Sequence, residues 1–393
     1  MLSTPKGYQF AVTDAGFHKY PRNNLALVLS NTPATAAGVF TKNRFCAAPV
    51  IVGKEILEGK PAVQGIMINT GQANACTGEQ GIQNCRTTIS LLAKALNLTP
   101  KDILPASTGV IGQQFDMNKW EKAVPLLLAN LGKNNATDFA DAILTTDAFH
   151  KISSRKINLV GGDVSLLGMA KGAGMICPNM ATMLAVVLCD VQIDADLWQS
   201  LLRQAVDQSF NRVSVDGDTS TNDTVYGLAN GASGISATAE DTSILLEALT
   251  DVLSELAYLL VKDGEGASKV LHISVVGANN NADAELVART IGHSPLVKTA
   301  MYGRDANWGR IVAAIGRSGA EFNPNDVTVS LCGYKIFEKG QPVDFDFDPV
   351  LEPLLKAVDI AIDVRLGEGQ GQYVFKASDL GHAYIDCNAS YRS

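Results

Sequence analysis

Apolar runs four to six residues long recur at 25–29, 65–68, 183–188, 271–276 and 327–331, each bounded by polar or turn-forming residues. Such runs mark strands whose two faces both meet other layers. Between them the apolar spacing changes to three and four. This predicts helices over 81–96, 119–131, 194–208 and 240–261. The last has Asp241 and Thr242 as candidate caps and stops at Asp263-Gly264. From 156 to 169 the pattern alternates on both sides of Gly161-Gly162-Asp163, a hairpin signal. Interleaved strands and helices with hairpins among them predict a mixed α/β (α+β) fold in layers, not a purely parallel doubly wound sheet. No low-complexity linker or internal repeat divides the chain.

Composition narrows the picture. Hydrophobic residues make up 46% of the 393 and aromatics 6%, with 35 glycines for tight turns. That balance suits a globular α/β protein. The formal charge is −8 and no Lys/Arg-rich run exists, so neither nucleic acid nor an anionic membrane surface is an expected partner. No apolar stretch approaches the roughly 20 residues of a membrane span. The seven cysteines are scattered without a C-x-x-C pair, which indicates neither a zinc site nor a disulfide framework. No metal is expected. Free thiols suit a reducing compartment, and the first ten residues carry no targeting pattern. The expected location is the cytoplasm.

Familiar catalytic motifs are missing: no G-x-S-x-G elbow, Walker loop, H-E-x-x-H or strand-linked G-x-G-x-x-G is present. The stretch 367–371 (GEGQG) reads as a turn between strands. The five histidines (His18, His150, His272, His293, His382) show no metal-ligand spacing, so a base other than histidine is expected. The unusual segment is 171–190 (KGAGMICPNMATMLAVVLCD), where Gly172, Gly174 and Pro178 lead irregularly into a strand that starts at Thr182. One reading is an ordinary loop before a strand. The other is an N-terminal nucleophile. A threonine hydroxyl needs a base beside it, and a broken bond before Thr182 would make its own α-amine that base. An α-amine has a pKa of roughly 7.7–8.0, so part of it is neutral near pH 7. The same hydroxyl could first attack the Ala181 carbonyl, giving an ester that water opens. The stretch 105–112 (PASTGVIG) can supply oxyanion donors through the Gly109 N–H and the Thr108 hydroxyl, although alone it also reads as a turn.

Eight segments in order carry a resemblance: 69–78 (NTGQANACTG), 105–112, 145–147 (TTD), 171–184 (KGAGMICPNMATML), 209–222 (SFNRVSVDGDTSTN), 263–269 (DGEGASK), 304–310 (RDANWGR) and 384–393 (YIDCNASYRS). Together they resemble the ornithine acetyltransferases, the glutamate N-acetyltransferases of arginine biosynthesis. The resemblance implies that Thr182 is both the self-cleavage residue and the acetyl carrier, with Ala181 ending the first fragment. It implies an oxyanion hole from Thr108 and Gly109. It also implies substrate contacts by Thr145, Lys171, Thr182, Glu265, Asn388 and Ser393. Lys171 offers a cation to a carboxylate, Glu265 an anion to an ammonium, and Asn388 both donor and acceptor.

The implied activity is ping-pong transfer of acetyl from N2-acetyl-L-ornithine to L-glutamate, with no cofactor and with acetyl-CoA open as a second donor. A hydrolase of the same N-terminal nucleophile type, an aminopeptidase or amidase with water as acceptor, is the alternative. The implied architecture is an α-β-β-α sandwich plus a smaller C-terminal α/β part from about 280. Fragments 1–181 and 182–393 would stay intertwined, and two such pairs would associate into a heterotetramer. Arg304 and Arg310 flank Trp308 and suit either an anion or an ion pair.

Overall fold

The computed structural model describes residues 2–59, 62–177, 183–344 and 346–390. The chain folds as two compact units. One gathers Met1–Asn211 and Asp218–Leu260, the other Arg212–Gly217 and Val261–Tyr391.

The first unit holds strands β1 (Tyr8–Thr13), β2 (Leu25–Phe40), β3 (Ala62–Asn69), β4 (Ile103–Ser107), β5 (Lys151–Leu159), β6 (Gly162–Lys171) and β7 (Leu184–Cys189). Its helices are α1 (Ala48–Glu58), α2 (Gly78–Leu96), α3 (Met117–Ala129), α4 (Ala136–Ala142) and α5 (Ala195–Gln208). The short β8 (Val213–Ser214) belongs to the second unit. Then β9 (Thr224–Ala229) and most of α6 (Thr242–Lys262) return to the first. Its sheet runs β4-β3-β2-β9-β7-β6-β5, with β1 on β2. Both parallel pairs (β3–β4, β7–β9) and antiparallel pairs occur.

This sheet doubles back on itself. The Tyr226 hydroxyl of β9 donates to the Pro105 carbonyl of β4 at 3.0 Å, although β3 and β2 lie between them in pairing order. Three strand spacings in a flat sheet would separate them by about 14 Å. The fold comes at β2, whose register to β3 shifts between Leu29 and Ala34. Phe10, Val28, Ile66 and Leu104 from one half thereby share a core with Met169, Val186 and Leu228 from the other. Period-2 alternation sends the intervening residues outward. Leu27, Met67 and Ile103 meet Leu92 of α2 and Trp120 and Leu127 of α3. On the opposite outer face a Cβ at Gly227 would touch Trp198 and Leu202 of α5, and one at Gly168 would touch Val252 and Leu256 of α6. Helices, sheet, sheet, helices: the expected α-β-β-α layering is formed.

The second unit adds β10 (Val270–Ala278), α7 (Asn281–Gly292), α8 (Pro295–Tyr302), α9 (Trp308–Gly316), β11 (Thr328–Leu331), β12 (Tyr334–Glu338), β13 (Gln341–Pro342), α10 (Asp348–Leu354), β14 (Asp359–Arg365), β15 (Gly371–Ser378) and α11 (His382–Ser390). Its mixed sheet runs β13-β12-β11-β14-β10-β15-β8. Ile273, Val275, Ile360, Ile362 and Phe375 form one core with Val287, Ile291, Met301 and Ile311 of the helices.

The predicted strands and helices are present, with different limits. The run at 25–29 is only the start of a 16-residue strand. The hairpin turns at Val160-Gly161, with Leu159 paired to Gly162, and GEGQG joins β14 to β15. Asp241 stands before α6, but its carboxylate accepts from Val160 N and Thr238 N at 2.9 and 2.8 Å rather than from the helix. All seven cysteines are free thiols. Among the described residues no helix is long and apolar enough to cross a membrane, and no group of three His, Cys, Asp or Glu side chains is placed to hold a metal.

Candidate active site

The parallel strands β3 and β4 end side by side, Asn69 opposite Ser107, and their following loops are laced together. Thr108 N donates to Asn69 O, Val110 N to Gly71 O, and Ala73 N to Val110 O, at 3.0–3.2 Å. Inside this lacing Gly109 has φ +131°, a left-handed region open to glycine. A Cβ there would lie 2.3 Å from the carbonyl carbon of Gly71, so the close approach also demands glycine. The amides on both sides, of Thr108 and Val110, are used. No bond from the Gly109 N–H to a described residue accompanies them, which leaves that donor for a ligand. Asn222 clamps the pair of loops from a third direction, donating to Ala73 O at 2.6 Å and Ser107 O at 2.8 Å.

The hairpin strands β5 and β6 bring two lysines together, Lys151 at the start of one and Lys171 at the end of the other, Lys151 pairing with Ala170. Lys171 Nζ donates to the Thr145 hydroxyl at 2.6 Å and reaches the Thr108 hydroxyl at 3.5 Å. Each threonine oxygen thus accepts a hydrogen bond from the lysine and keeps its own hydrogen to donate elsewhere. Thr108, Gly109, Thr145 and Lys171 are brought together.

Asp147 anchors the group. Its carboxylate, with no exposed side-chain surface, accepts from Lys151 Nζ at 2.7 Å, Gly172 N at 2.6 Å and Thr145 N at 3.0 Å, and lies 3.6 Å from Lys171 Nζ. Burial alone would raise its pKa. The Lys171 and Lys151 charges and the hydrogen bonds from Lys151 and Thr145 outweigh it and hold the carboxyl well below its ordinary range. A small cavity beside Lys171 is walled by Thr108, Met183, Leu184, Ser220, Asn222 and Asp223.

Glu265 and Asn388 lie in the second unit. The 263–269 turn is fixed by Asp379, which accepts from Ser268 N at 2.8 Å, Lys269 N at 3.1 Å and the Ser268 hydroxyl at 2.5 Å. Gly266 (φ +69°) lets α11 pack close, since a Cβ would lie 2.3 Å from Tyr384 N. Asn388 on that helix donates to Glu265 at 2.9 Å, so these two candidates are brought together as well. Ala181, Thr182 and Ser393 lie outside the described residues.

Asp147, Lys151, Asn222 and Asp223 were not singled out from the sequence. Asp147 was quoted within the TTD motif, and Lys151 four residues on was the one local signal that it is paired. Among the histidines, His18 comes within 3.1 Å of the Thr70 hydroxyl, while His150 and His272 pair with Asp141 and Asp359. Arg310 is engaged by Leu296 O and the Thr299 hydroxyl, at 2.9 and 3.3 Å.

Residues 9–393 match the ArgJ family. The chain belongs to that family. It is 60% identical to the arginine biosynthesis bifunctional protein ArgJ of Nitratidesulfovibrio vulgaris, over 100% of both chains. Against the protein of the same description from Thermotoga neapolitana it is 44% identical, again over 100% of both. The crystal structure of arginine biosynthesis bifunctional protein argJ from Bacillus halodurans is similar at 39% identity and a TM-score of 0.51; the match covers 53% of this chain and 100% of that one. The family resemblance carried by the eight motifs is thereby borne out.

Proposed function

We propose that this member of the ArgJ family cuts itself between Ala181 and Thr182 and then carries acetyl from N2-acetyl-L-ornithine to L-glutamate on the Thr182 hydroxyl. One observation carries the proposal. The Lys171 ammonium gathers the Thr145 and Thr108 hydroxyls, next in sequence to the unspent Gly109 N–H, and Lys171 and Thr108 wall a cavity with Met183, the residue after the proposed nucleophile.

The neutral α-amine of Thr182 takes the hydroxyl proton as the oxygen attacks the acetyl carbonyl. Thr108 and Gly109 hold the resulting oxyanion, each worth roughly 10²–10³-fold in rate. Ornithine leaves with the proton, and the amine of glutamate attacks the threonine ester in the same site. Lys171 and Thr145 meet the substrate near the reacting carbon, while Glu265, Asn388 and Ser393 bind its polar groups. No cofactor is needed, and acetyl-CoA can load the same threonine as a second donor. The fragments 1–181 and 182–393 remain one folded body, two such pairs form a heterotetramer, and the enzyme works in the cytoplasm.

Intact mass under denaturing conditions tests the cut: two fragments meeting at 181/182 in the wild type, one uncut and inactive chain in Thr182→Ala. Incubation with N-acetylornithine and glutamate should then yield N-acetylglutamate. Free acetate in its place would make the enzyme a hydrolase, and a fully active uncut chain would end the proposal.

A further inference from the structure

The connection from β1 to β2, residues 14–24, is laced onto itself. Asp14 Oδ1 accepts from Gly16 N at 2.8 Å and from Asn24 Nδ2 at 2.9 Å, and Oδ2 from Arg22 N at 3.2 Å. A short acidic side chain folded back on its own backbone is a turn-fixing device. Asn24, wholly buried, accepts from Ala15 N at 2.8 Å. Helix α3 holds the same stretch from outside: Phe17 packs on Trp120 with ring centroids 5.0 Å apart, and Lys119 Nζ donates to Gly16 O at 2.5 Å.

This braced piece reaches both parts of the proposed site. At one end His18 Nε2 lies 3.1 Å from the hydroxyl of the buried Thr70, and Thr70 N donates to Asn24 O at 2.9 Å. The next residue is Gly71. Its carbonyl accepts from Val110 N, and its carbonyl carbon is what leaves no room for a Cβ on Gly109. A Cβ on Gly71 would itself lie 3.1 Å from Phe17 O and 3.3 Å from His18 Nε2, so Gly71 lies against both the braced piece and Gly109. At the other end the Arg22 guanidinium donates to Leu144 O at 3.0 Å and Asp141 O at 3.3 Å. Leu144 is joined to Thr145, whose hydroxyl accepts from Lys171. Strands β4 and β5 are the two ends of the sheet path, so among the described strands no pairing fixes the loop after β4 against Thr145.

We propose that residues 14–24 form a strut across the active site, with His18 and Arg22 as positioning residues that set the separation of the Gly109 N–H from the Thr145–Lys171 pair. The inference rests on the acetyltransferase reading above. His18 backs Gly71 and so aims the Gly109 amide; Arg22 holds the carbonyl just before Thr145. Neither side chain has to touch substrate. An oxyanion donor acts through its aim, and a misplacement of about 1 Å can cost about 100-fold in rate.

The test uses full-length His18→Phe and Arg22→Met, which keep most of the side-chain volume and lose the hydrogen bonds, together with the double variant. Each is checked for cleavage by intact mass and assayed with N-acetylornithine and glutamate. In each single variant kcat should fall by about 10–100-fold while KM for both substrates stays within about threefold. A strut fails when either end is loose, so the double variant should lose little more than the worse single one, whereas independent residues would multiply their losses. Arg22→Lys, which keeps a donor for Leu144 O, should recover most of the rate. Multiplied losses, a rise in KM with kcat intact, or full kcat in either single variant overturns the proposal. If a single variant stays uncut, Thr70→Val is read in its place, since it withdraws the hydroxyl that meets His18; the same fall in kcat at steady KM supports the strut and full kcat overturns it. Wild type that makes no N-acetylglutamate overturns the acetyltransferase reading and the strut with it, while an active wild type beside undiminished variants overturns the strut alone.

Discussion

Two buried aspartates flank Lys171, and they are built in opposite ways. Around Asp147 donors come from Thr145 ahead of β5, Lys151 at its start and Gly172 just after β6, and the carboxyl is held ionised. At the entrance to β9 Asp223 keeps an oxygen without a partner among the described residues, and burial favours its neutral form. A satisfied carboxylate fixes its neighbours, here the two lysines and the start of the segment leading to the proposed cut. An unsatisfied one costs stability. The contrast falls within one small region. The Glu265–Asn388 pair is a third kind: a single bond on the partly exposed surface of the other unit.

The sharpest way to break this comparison is Asp147→Asn. It removes the carboxylate that faces the fully buried Lys151 ammonium, and removing one partner of such a pair costs about 3–5 kcal/mol. Urea unfolding at pH 7 should show that loss; a change under about 1 kcal/mol would mean Asp147 is not the anchor. The sign with pH follows from its lowered pKa. The stabilisation is present above the unfolded value near 3.9 and is lost as pH falls toward the folded one. The gap between wild type and Asp147→Asn should therefore close below about pH 4.

Next in size is Gly109→Ala, which tests whether the laced loops are a donor site. Its Cβ would collide with the Gly71 carbonyl carbon at 2.3 Å and turn the amide away. The expected loss is about 10²–10³-fold in kcat for acetyl transfer. Activity within tenfold of wild type would reduce 105–112 to a turn. The smallest effect belongs to Glu265→Gln. Its site is partly exposed, so unfolding should shift by less than about 0.5 kcal/mol, while KM for N-acetylornithine rises about tenfold and self-cleavage continues. Loss of cleavage there would move Glu265 from binding to maturation.

Much of this was legible in the sequence where one face decides. The hairpin of β5 and β6 shows its period because one side always meets a core, and β7 shows as an unbroken apolar run because both its faces are buried. The full length of β2 was not legible. The apolar run stops at Leu29, yet the strand continues to Phe40 because it leaves β3 as partner and takes up β9. The helices α7 to α9 escaped because their small residues (Ala284, Ala288, Ala300, Ala314) make a weak stripe that packing, not periodicity, fills. Thr108 and Gly109 were legible as candidate donors because glycine beside a hydroxyl is a local signal. The tie from Asp147 to Gly172 and the orphan oxygen of Asp223 are tertiary facts with no local trace.

Lys171 and Leu184 face each other across the β6–β7 ladder, where opposed Cα atoms are about 5 Å apart. Twelve residues, 172–183, bridge what a two-residue turn could span. A cut inside that span, as proposed, removes no rung of the ladder. The released ends gain freedom that rejoining them would have to surrender. The proposed maturation would work there like a ratchet: every rung would be kept, and the step back would be uphill.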